Sequence, residues 1–104
     1  PQPTLADGLA VGQPVAETLA VMAEHVDDMV LVSEDELARA MRWYATTLGQ
    51  LAEGAGAAAL AGAFALRPRF KGGRIAVLLS GGNVDLLRLR EVFGAPSEIE
   101  SPAK

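Results

Sequence analysis

The alternation of apolar and polar positions along the chain predicts helices separated by short, continuously apolar segments. Apolar residues recur at helical spacing, or nearly fill the segment, in four stretches, residues 14–24, 34–48, 53–66 and 84–93. Uninterrupted apolar runs at residues 29–32 and 75–79 predict buried strands, the second of which begins at Arg74. Because strands then alternate with helices, the pattern indicates an α/β layered fold with a parallel sheet.

The helix predicted at residues 34–48 has the clearest signals at both ends. Ser33 and Glu36 form an S-x-x-E capping box, in which each side chain can bond a free amide at the helix start. Gly49 is expected to end the helix, and Arg39 and Arg42 to face away from the core. The predicted core face consists of Leu37, Met41, Tyr44 and Leu48.

The next helix, at residues 53–66, is unusual because residues 55–66 contain no charged side chain. A helix that is apolar all round must be covered on several sides. Gly54 and Gly56 disfavour a helix on propensity alone. We therefore expect them to serve close packing or close approach of a ligand.

Composition narrows the functional classes for this chain of 104 residues. Its net charge of -4 argues against a nucleic-acid partner, which requires a basic face. No apolar run is long enough for a membrane span, and no secretory signal opens the chain. Cysteine is absent, which excludes disulfides and thiolate metal sites, so the cytoplasm is the default location.

The most informative motif is Ser-Gly-Gly-Asn at residues 80–83, directly after the longer apolar run. Glycines at the end of a buried strand allow another molecule to approach the backbone, where α/β proteins bind ligands. Ser80 is either a turn residue or a hydroxyl presented to a ligand. Asn83 is either the N-cap of the following helix or a ligand contact, and both roles are compatible.

Other polar positions near glycines carry weaker signals. Glu53 is either a partner of the helix dipole or a carboxylate held near a ligand. Asp7 before Gly8 is typical of a turn. Lys71 lies in a predicted turn and Lys104 at the terminus, so no lysine occupies a credible catalytic position.

The remaining chemically capable side chains favour structural interpretations. His25 is the single histidine, with no second ligand at helical spacing, so a metal site is not expected. Asp27 and Asp28 indicate a solvated loop rather than an acid–base pair. Trp43 and Tyr44 lie on a helix and are expected to pack in the core.

Four segments, in this order and spacing, then carry a family resemblance: ADGLAV at residues 6–11, VSEDEL at 32–37, EGAGAA at 53–58 and LLSGGNVD at 78–85. Together they resemble the C-terminal part of the catalytic domain of fold-type-II pyridoxal-phosphate enzymes. The nearest branch is that of threonine ammonia-lyase and serine racemase. The resemblance implies that residues 1–94 are an incomplete catalytic domain. Residues 95–104, which contain two prolines and mostly small or polar residues, are expected to be a tail.

The resemblance also implies roles for individual residues. The family's SGGN serine, here Ser80, hydrogen-bonds the pyridine nitrogen of pyridoxal phosphate, with Gly81 and Asn83 beside it. The family's glutamate before the small-residue helix matches Glu53, and its Asp-Gly segment near the active site matches Gly8. A serine hydroxyl is too weak an acid to protonate the ring, which suits a β-elimination that expels hydroxide quickly.

The resemblance places the rest of the family's machinery upstream of this chain. The Schiff-base lysine, the substrate loop, the phosphate cradle and any metal ligands have no counterpart here, so no catalytic or metal-binding residue is assigned. The missing N-terminal segment, an amino-acid substrate and further copies of the enzyme are the expected partners. No regulatory domain is expected after residue 94, which favours the catabolic or racemase-like branch.

Three functions follow from these expectations. The favoured one is the C-terminal part of an ammonia-lyase that converts L-threonine or L-serine to a 2-oxo acid and ammonia, inactive as an isolated fragment. The alternatives are a non-catalytic α/β interaction module that retains the family sequence, and an amino-acid racemase of the same family.

Overall fold

The structure, a computed structural model, describes residues 3–94 and shows a helical architecture. In that range, α1 comprises Ala16–His25, α2 Glu34–Trp43, α3 Gly54–Ala65 and α4 Leu86–Phe93. A π-helical turn at Tyr44–Leu48 extends α2, and short 3-10 turns lie at Asp7–Leu9 and Arg67–Phe70. The order of the predicted helices is confirmed; the tail predicted at residues 95–104 lies outside the described residues.

The capping box predicted at the start of α2 is confirmed. The backbone N–H of Ser33 donates to the Glu36 carboxylate at 2.6 Å, and the N–H of Glu36 donates to the Ser33 hydroxyl at 3.1 Å. Glu34, in the same turn, accepts from the backbone N–H of Leu5 at 2.7 Å and from the Thr4 hydroxyl. The first turn of α2 therefore fixes the N-terminal segment of the chain.

The core face predicted for α2 is confirmed at three of four positions. Leu37, Met41 and Tyr44 are 3%, 2% and 6% exposed, whereas Leu48 is 55% exposed. The prediction for Leu48 is wrong because the chain passes through a π-helical turn, in which the N–H of Gly49 donates to the Tyr44 carbonyl. The wider turn carries Leu48 off the buried face. Gly49 ends the helix at φ 65°, as predicted.

Arg42 does not face away from the protein, contrary to the prediction. Its Nη1 donates to the backbone carbonyl of Val92 at 3.0 Å, which ties α2 to α4. Val92 itself is 4% exposed. Arginine can place its aliphatic stem along an apolar surface while its guanidinium reaches a carbonyl, so a polar residue next to the core face can join two helices.

The core is built from small side chains. Ala40 of α2 and Ala57 and Ala61 of α3 have no exposed surface. Such residues allow the backbones of two helices to approach closely. The buried apolar side chains among residues 3–94 are Ala6, Leu37, Ala40, Met41, Tyr44, Ala52, Ala57, Leu60, Ala61 and Val92.

The predicted parallel sheet is not confirmed, because residues 3–94 contain no strand. The segments at residues 29–32 and 74–79 adopt neither helix nor strand. No backbone hydrogen bond joins them in the described range. A strand exists only when a neighbouring strand accepts and donates its ladder of hydrogen bonds. Apolar sequence alone therefore does not make these segments a sheet.

Both segments line an apolar groove of about 660 Å³ along one side of α3. The side chains of Ala58, Ala59 and Ala63 lie along the groove. Nearby apolar side chains remain exposed, including Leu31 at 96% and Leu78 at 76%. The apolar helix is thus covered by α2 on one side and open on another. Within residues 3–94, no helix has the length and apolar character that a membrane span requires.

Candidate functional site

Three loops meet at the start of α3, and they contain the residues singled out from the sequence. We name them the N-terminal loop (residues 5–8), the anchor loop (residues 51–53) and the SGGN loop (residues 80–83). The N-terminal and SGGN loops both pack against the first turn of α3, and the anchor loop leads into it. The structure thus brings Gly8, Glu53, Gly81 and Asn83 together.

Glu53 makes the polar contacts between the anchor loop and the SGGN loop. Its backbone N–H donates to the carbonyl of Gly81 at 3.1 Å. Its carboxylate oxygen Oε1 accepts from the backbone N–H of Asn83 at 3.4 Å. Its other oxygen, Oε2, faces Gly8, whose added Cβ would lie 3.7 Å away. One residue therefore contacts both neighbouring loops.

The glycines of the SGGN loop permit close backbone contact with the rest of the site. A Cβ added to Gly82 would lie 2.5 Å from the carbonyl oxygen of Leu51. A Cβ added to Gly81 would overlap the Glu53 carboxylate. Gly82 faces backbone and excludes a larger residue, whereas a side chain at Gly81 would require the Glu53 carboxylate to move away.

The glycines in the first turn of α3 have the same explanation. A Cβ on Gly56 would overlap the carbonyl oxygen of Gly81 and lie 2.9 Å from its nitrogen. A Cβ on Gly54 would overlap the carbonyl of Leu5. Of the two explanations that the sequence left open, close packing within the chain accounts for both glycines.

The helix that follows the SGGN loop is capped by a residue other than the predicted one. The carboxylate of Asp85 accepts from the N–H of Arg88 at 2.8 Å, so Asp85 is the N-cap of α4. The N-cap prediction for Asn83 is wrong, because α4 begins at Leu86 and Asn83 lies before its N-cap, with its N–H donated to Glu53. Asn83 belongs to the loop and not to the helix.

Arg88 connects α4 to the N-terminal loop, a contact that the sequence did not reveal. Its Nη2 lies 3.8 Å from Oδ2 of Asp7, and its Nη1 lies 3.3 Å from Oε2 of Glu91. Asp7 and Arg88 stand at opposite ends of the chain. No local pattern pairs residues so far apart, so the tertiary fold alone makes this contact visible.

Ser80 is exposed, and its hydroxyl makes no hydrogen bond to any residue in the described range. A hydroxyl can donate one hydrogen bond and accept others. Glu53 and Leu51 contact the residues that follow Ser80, so the Ser80 side chain lies on a loop that is held in place. It is available to a bound molecule.

The remaining candidates have structural roles. Trp43 packs edge-on against Tyr44 and Phe64, with ring centroids 6.0 and 5.9 Å away. Burial raises the pKa of Tyr44. Asp28 pairs with Arg69 at 3.0 Å on the surface, and the hydrogen bond from Arg69 lowers the pKa of that carboxyl. These observations confirm packing for the aromatic pair and a solvated surface for Asp28.

The chain supplies little for an anionic ligand group. The carboxylates of Asp7 and Glu53 lie in the meeting loops, and Lys71 is exposed in the turn after the second 3-10 turn. In the part of the chain that the structure describes, no group of three or more His, Asp or Glu side chains could hold a metal ion. The apolar grooves along α3 do not include Ser80 and are packing surfaces of the helix.

Comparison with known proteins gives a family match over most of the chain. The sequence model of the family described as "Pyridoxal-phosphate dependent enzyme" matches residues 1–81. The match ends at Gly81, inside the SGGN loop, and includes the N-terminal and anchor loops.

Characterised relatives are similar over the same region. An L-threonine ammonia-lyase of Thermotoga maritima is 41% identical over 85 residues, which are 82% of this chain and 21% of that enzyme. The catabolic L-threonine dehydratase of Escherichia coli is 39% identical over 93 residues, 88% of this chain and 28% of that enzyme. A serine racemase of Schizosaccharomyces pombe is 35% identical over 85 residues, 82% of this chain and 26% of that enzyme. The chain spans between 21% and 28% of the length of these relatives.

Proposed function

Because the chain belongs to the family of pyridoxal-phosphate dependent enzymes, we propose that it is the C-terminal part of the catalytic domain of an ammonia-lyase. The substrate proposed is L-threonine or L-serine, and the products are a 2-oxo acid and ammonia. The observation that carries the proposal is the convergence of Gly8, Glu53, Gly81 and Asn83 beside an exposed Ser80 hydroxyl. The names of similar proteins, an L-threonine ammonia-lyase and a catabolic L-threonine dehydratase, support the choice of reaction.

The site fits one end of pyridoxal phosphate. The ring nitrogen is an acceptor that needs a hydrogen-bond donor, and the free hydroxyl of Ser80 is such a donor. A serine hydroxyl does not transfer its proton to the ring, so it orients the cofactor without making the ring cationic. The protein's part in such enzymes is to position the cofactor and to tune its electronics.

The site does not fit the phosphate end. The Glu53 carboxylate would repel a phosphate group at short range, and the Arg88 guanidinium near these loops is already paired with Asp7 and Glu91. A phosphate is usually bound by backbone amides at a helix start and by cationic side chains. We therefore propose that the rest of the enzyme supplies the phosphate site and the lysine that binds the cofactor covalently, and that the isolated chain is inactive.

When bound, pyridoxal phosphate supplies the electron sink that allows a proton to leave the α-carbon of an amino acid. The residues of this chain contribute orientation. Ser80 holds the ring nitrogen, while Glu53 and the backbone of Leu51 keep the SGGN loop in place. Packing of Gly56 against Gly81 holds the loop directly against α3.

We also propose that the parallel sheet forms only in the complete enzyme. The segments at residues 29–32 and 74–79 lie beside one apolar groove and have no partner strand within residues 3–94. Strands supplied by the rest of the domain would pair with them and cover α3. The homo-oligomer and the cytoplasmic location stay predictions.

The proposed reaction is tested with the complete enzyme that contains this chain. Purified enzyme should form a 2-oxo acid from L-threonine or L-serine, with ammonia released in equal amount. Formation of a D-amino acid without a 2-oxo acid would favour the racemase, whose family name one relative carries. Absence of both products, with no bound cofactor, would favour a non-catalytic module.

The role of Ser80 is tested by Ser80→Ala in the complete enzyme. We expect turnover to fall and the absorbance spectrum of the bound cofactor to shift, with little change in melting temperature. Ser33→Ala is the matched control, because Ser33 caps α2 and its loss costs stability of about 0.5–2 kcal/mol without touching the site. Full activity and an unchanged spectrum in Ser80→Ala would refute the assignment.

A further inference from the structure

Glu53 occupies the N-cap position of α3, yet its carboxylate does not cap that helix. The residue has the extended backbone of an N-cap, φ -71° and ψ 162°, and its carbonyl accepts the first helical bond from Ala57 at 2.9 Å. No hydrogen bond runs from the amides of α3 to its side chain. The carboxylate instead turns towards the SGGN loop, where Oε1 accepts from the Asn83 N–H.

Glu53 contacts the residues on both sides of Gly82. Its backbone N–H binds the carbonyl of Gly81 at 3.1 Å, and its carboxylate receives the N–H of Asn83 at 3.4 Å. The second bond is long, but the Glu53 side chain also packs closely against the loop. A Cβ on Gly81 would lie 3.0 Å from the carboxylate carbon of Glu53, which shows how closely the side chain covers that residue.

From this geometry we propose that Glu53 is a positioning residue for Ser80: it sets the orientation of the loop that presents the serine hydroxyl and makes no direct contact with the cofactor. This inference rests on the proposed role of Ser80. The side chain acts on the loop through its carboxylate, which accepts from the Asn83 N–H and packs closely against Gly81, the residue bonded to Ser80. Holding these residues restricts the backbone that carries the hydroxyl. A hydroxyl that must donate to one ring nitrogen needs such restriction, because hydrogen bonds weaken steeply when misaligned.

Two substitutions separate this role from that of a helix-dipole partner. Glu53→Gln removes the charge but keeps an oxygen at the same reach, so it can still accept from Asn83. Glu53→Asp keeps the charge and is a favoured N-cap, but it is one methylene too short to reach the SGGN loop. If Glu53 is a positioning residue, its function survives Glu53→Gln and not Glu53→Asp. If it is a helix-dipole partner, its function survives Glu53→Asp and not Glu53→Gln.

The experiment uses the complete enzyme and measures three quantities: the Kd of pyridoxal phosphate for the apoenzyme, the absorbance spectrum of the bound cofactor, and the melting temperature. We expect Glu53→Asp to weaken cofactor binding roughly 2- to 10-fold, the loss of about one hydrogen bond, and to shift the spectrum as Ser80→Ala does. Glu53→Gln should stay within about 2-fold of the unaltered enzyme. Melting temperature should not decrease in Glu53→Asp, because aspartate caps the helix.

A double-mutant cycle tests whether Glu53 acts through Ser80. In the Ser80→Ala background, Glu53→Asp should change the cofactor Kd by less than about 2-fold, because the hydroxyl that it positions is gone. If instead the fold-changes in Kd of the two substitutions multiply, Glu53 acts on the cofactor independently of Ser80. Normal cofactor binding in Glu53→Asp, or weakened binding in Glu53→Gln alone, would also overturn the inference.

These outcomes are distinct from failure of the proposed function. The cycle uses cofactor binding and requires no substrate, so an enzyme that forms no 2-oxo acid can still confirm the role of Glu53. If Ser80→Ala leaves the Kd and the spectrum unchanged, the Ser80 role and this inference both fail. If Ser80→Ala weakens binding and Glu53→Asp does not, only the inference about Glu53 fails.

Discussion

The two ends of α3 differ in how completely the rest of the chain covers them. At the first turn, backbone atoms of the N-terminal and SGGN loops lie so close to Gly54 and Gly56 that a methyl group would not fit. Further along, a Cβ added to Gly62 would meet only Cγ2 of Val30, at the ordinary contact distance of 3.7 Å, and Gly62 borders the open groove. Small residues of α3 thus pack tightly against backbone at the first turn and line an uncovered surface further along the helix.

The difference teaches which part of the site this chain builds by itself. The SGGN loop is held by contacts made entirely within residues 3–94. The groove has an apolar lining but no occupant within that range. Large exposed apolar patches mark interfaces. The support for Ser80 is therefore local, whereas the strands that we propose to cover α3 would come from the rest of the protein.

The largest expected effect comes from Gly56→Ala in the complete enzyme. The new methyl group meets the backbone of Gly81, which cannot rotate away as a side chain would. We expect a loss of stability of about 1–3 kcal/mol, measured by thermal or urea unfolding, together with weaker cofactor binding.

Gly62→Ala is the matched control, because it makes the same change in the same helix. In the structure its methyl group meets no atom closer than 3.7 Å, and alanine favours a helix over glycine. The comparison is made in residues 1–104 alone, where the groove is open: stability should stay constant or rise slightly with Gly62→Ala and fall with Gly56→Ala. Equal losses for the two variants would show that the two ends of α3 are covered alike.

A smaller effect is expected on association of the isolated chain. Residues 1–104 should self-associate, which sedimentation velocity would show as concentration-dependent species larger than the monomer. Ala59→Glu places a charge in the groove and should shift the distribution towards monomer. Ala65→Glu, at an exposed position of α3 outside both grooves, should not. Identical behaviour of the two variants would exclude the groove as the contact surface.

The smallest effect concerns the attachment of the N-terminal loop to α2. The Leu5 N–H, and then the Thr4 hydroxyl, hold the pKa of the Glu34 carboxyl below its ordinary value of 4.5. A lowered pKa means that this carboxylate stabilises the folded state above pH 4.5 and that the contribution disappears as the pH falls through the lowered value. Glu34→Gln should therefore reduce melting temperature slightly at pH 7, and the difference should shrink as the pH falls through the lowered pKa. A difference independent of pH would contradict this assignment.

Local signals in the sequence predicted the helices well. The Ser33–Glu36 box and Gly49 are determined by nearby backbone geometry, so the sequence contains the whole cause. The glycines at the start of α3 instead depend on long-range contacts with Leu5 and Gly81. Leu48 was misplaced because nothing in the sequence distinguishes a π-helical turn from a regular one. Strands were predicted from apolar runs alone, although a strand also depends on a partner that this range does not contain.

The sequence predicted which residues form the candidate site but not how they contact one another. The resemblance identified Ser80, Glu53 and Gly8, and the structure places Glu53 between the loops of Gly8 and Gly81. That the Glu53 carboxylate bonds the loop instead of capping α3, and that Arg88 reaches Asp7, depends on long-range packing. Sequence spacing carries no information about such pairs.

The most direct measurement mixes the two parts of the enzyme. Residues 1–104 and the separately produced remainder are each incubated with pyridoxal phosphate, alone and together, while bound-cofactor absorbance and 2-oxo acid formation from L-threonine and L-serine are recorded. We predict no turnover from either part alone and turnover from the mixture, lowered when the chain carries Ser80→Ala. Turnover by residues 1–104 alone would contradict the central claim that this chain supplies the supported Ser80 loop and the rest of the protein supplies the remaining machinery.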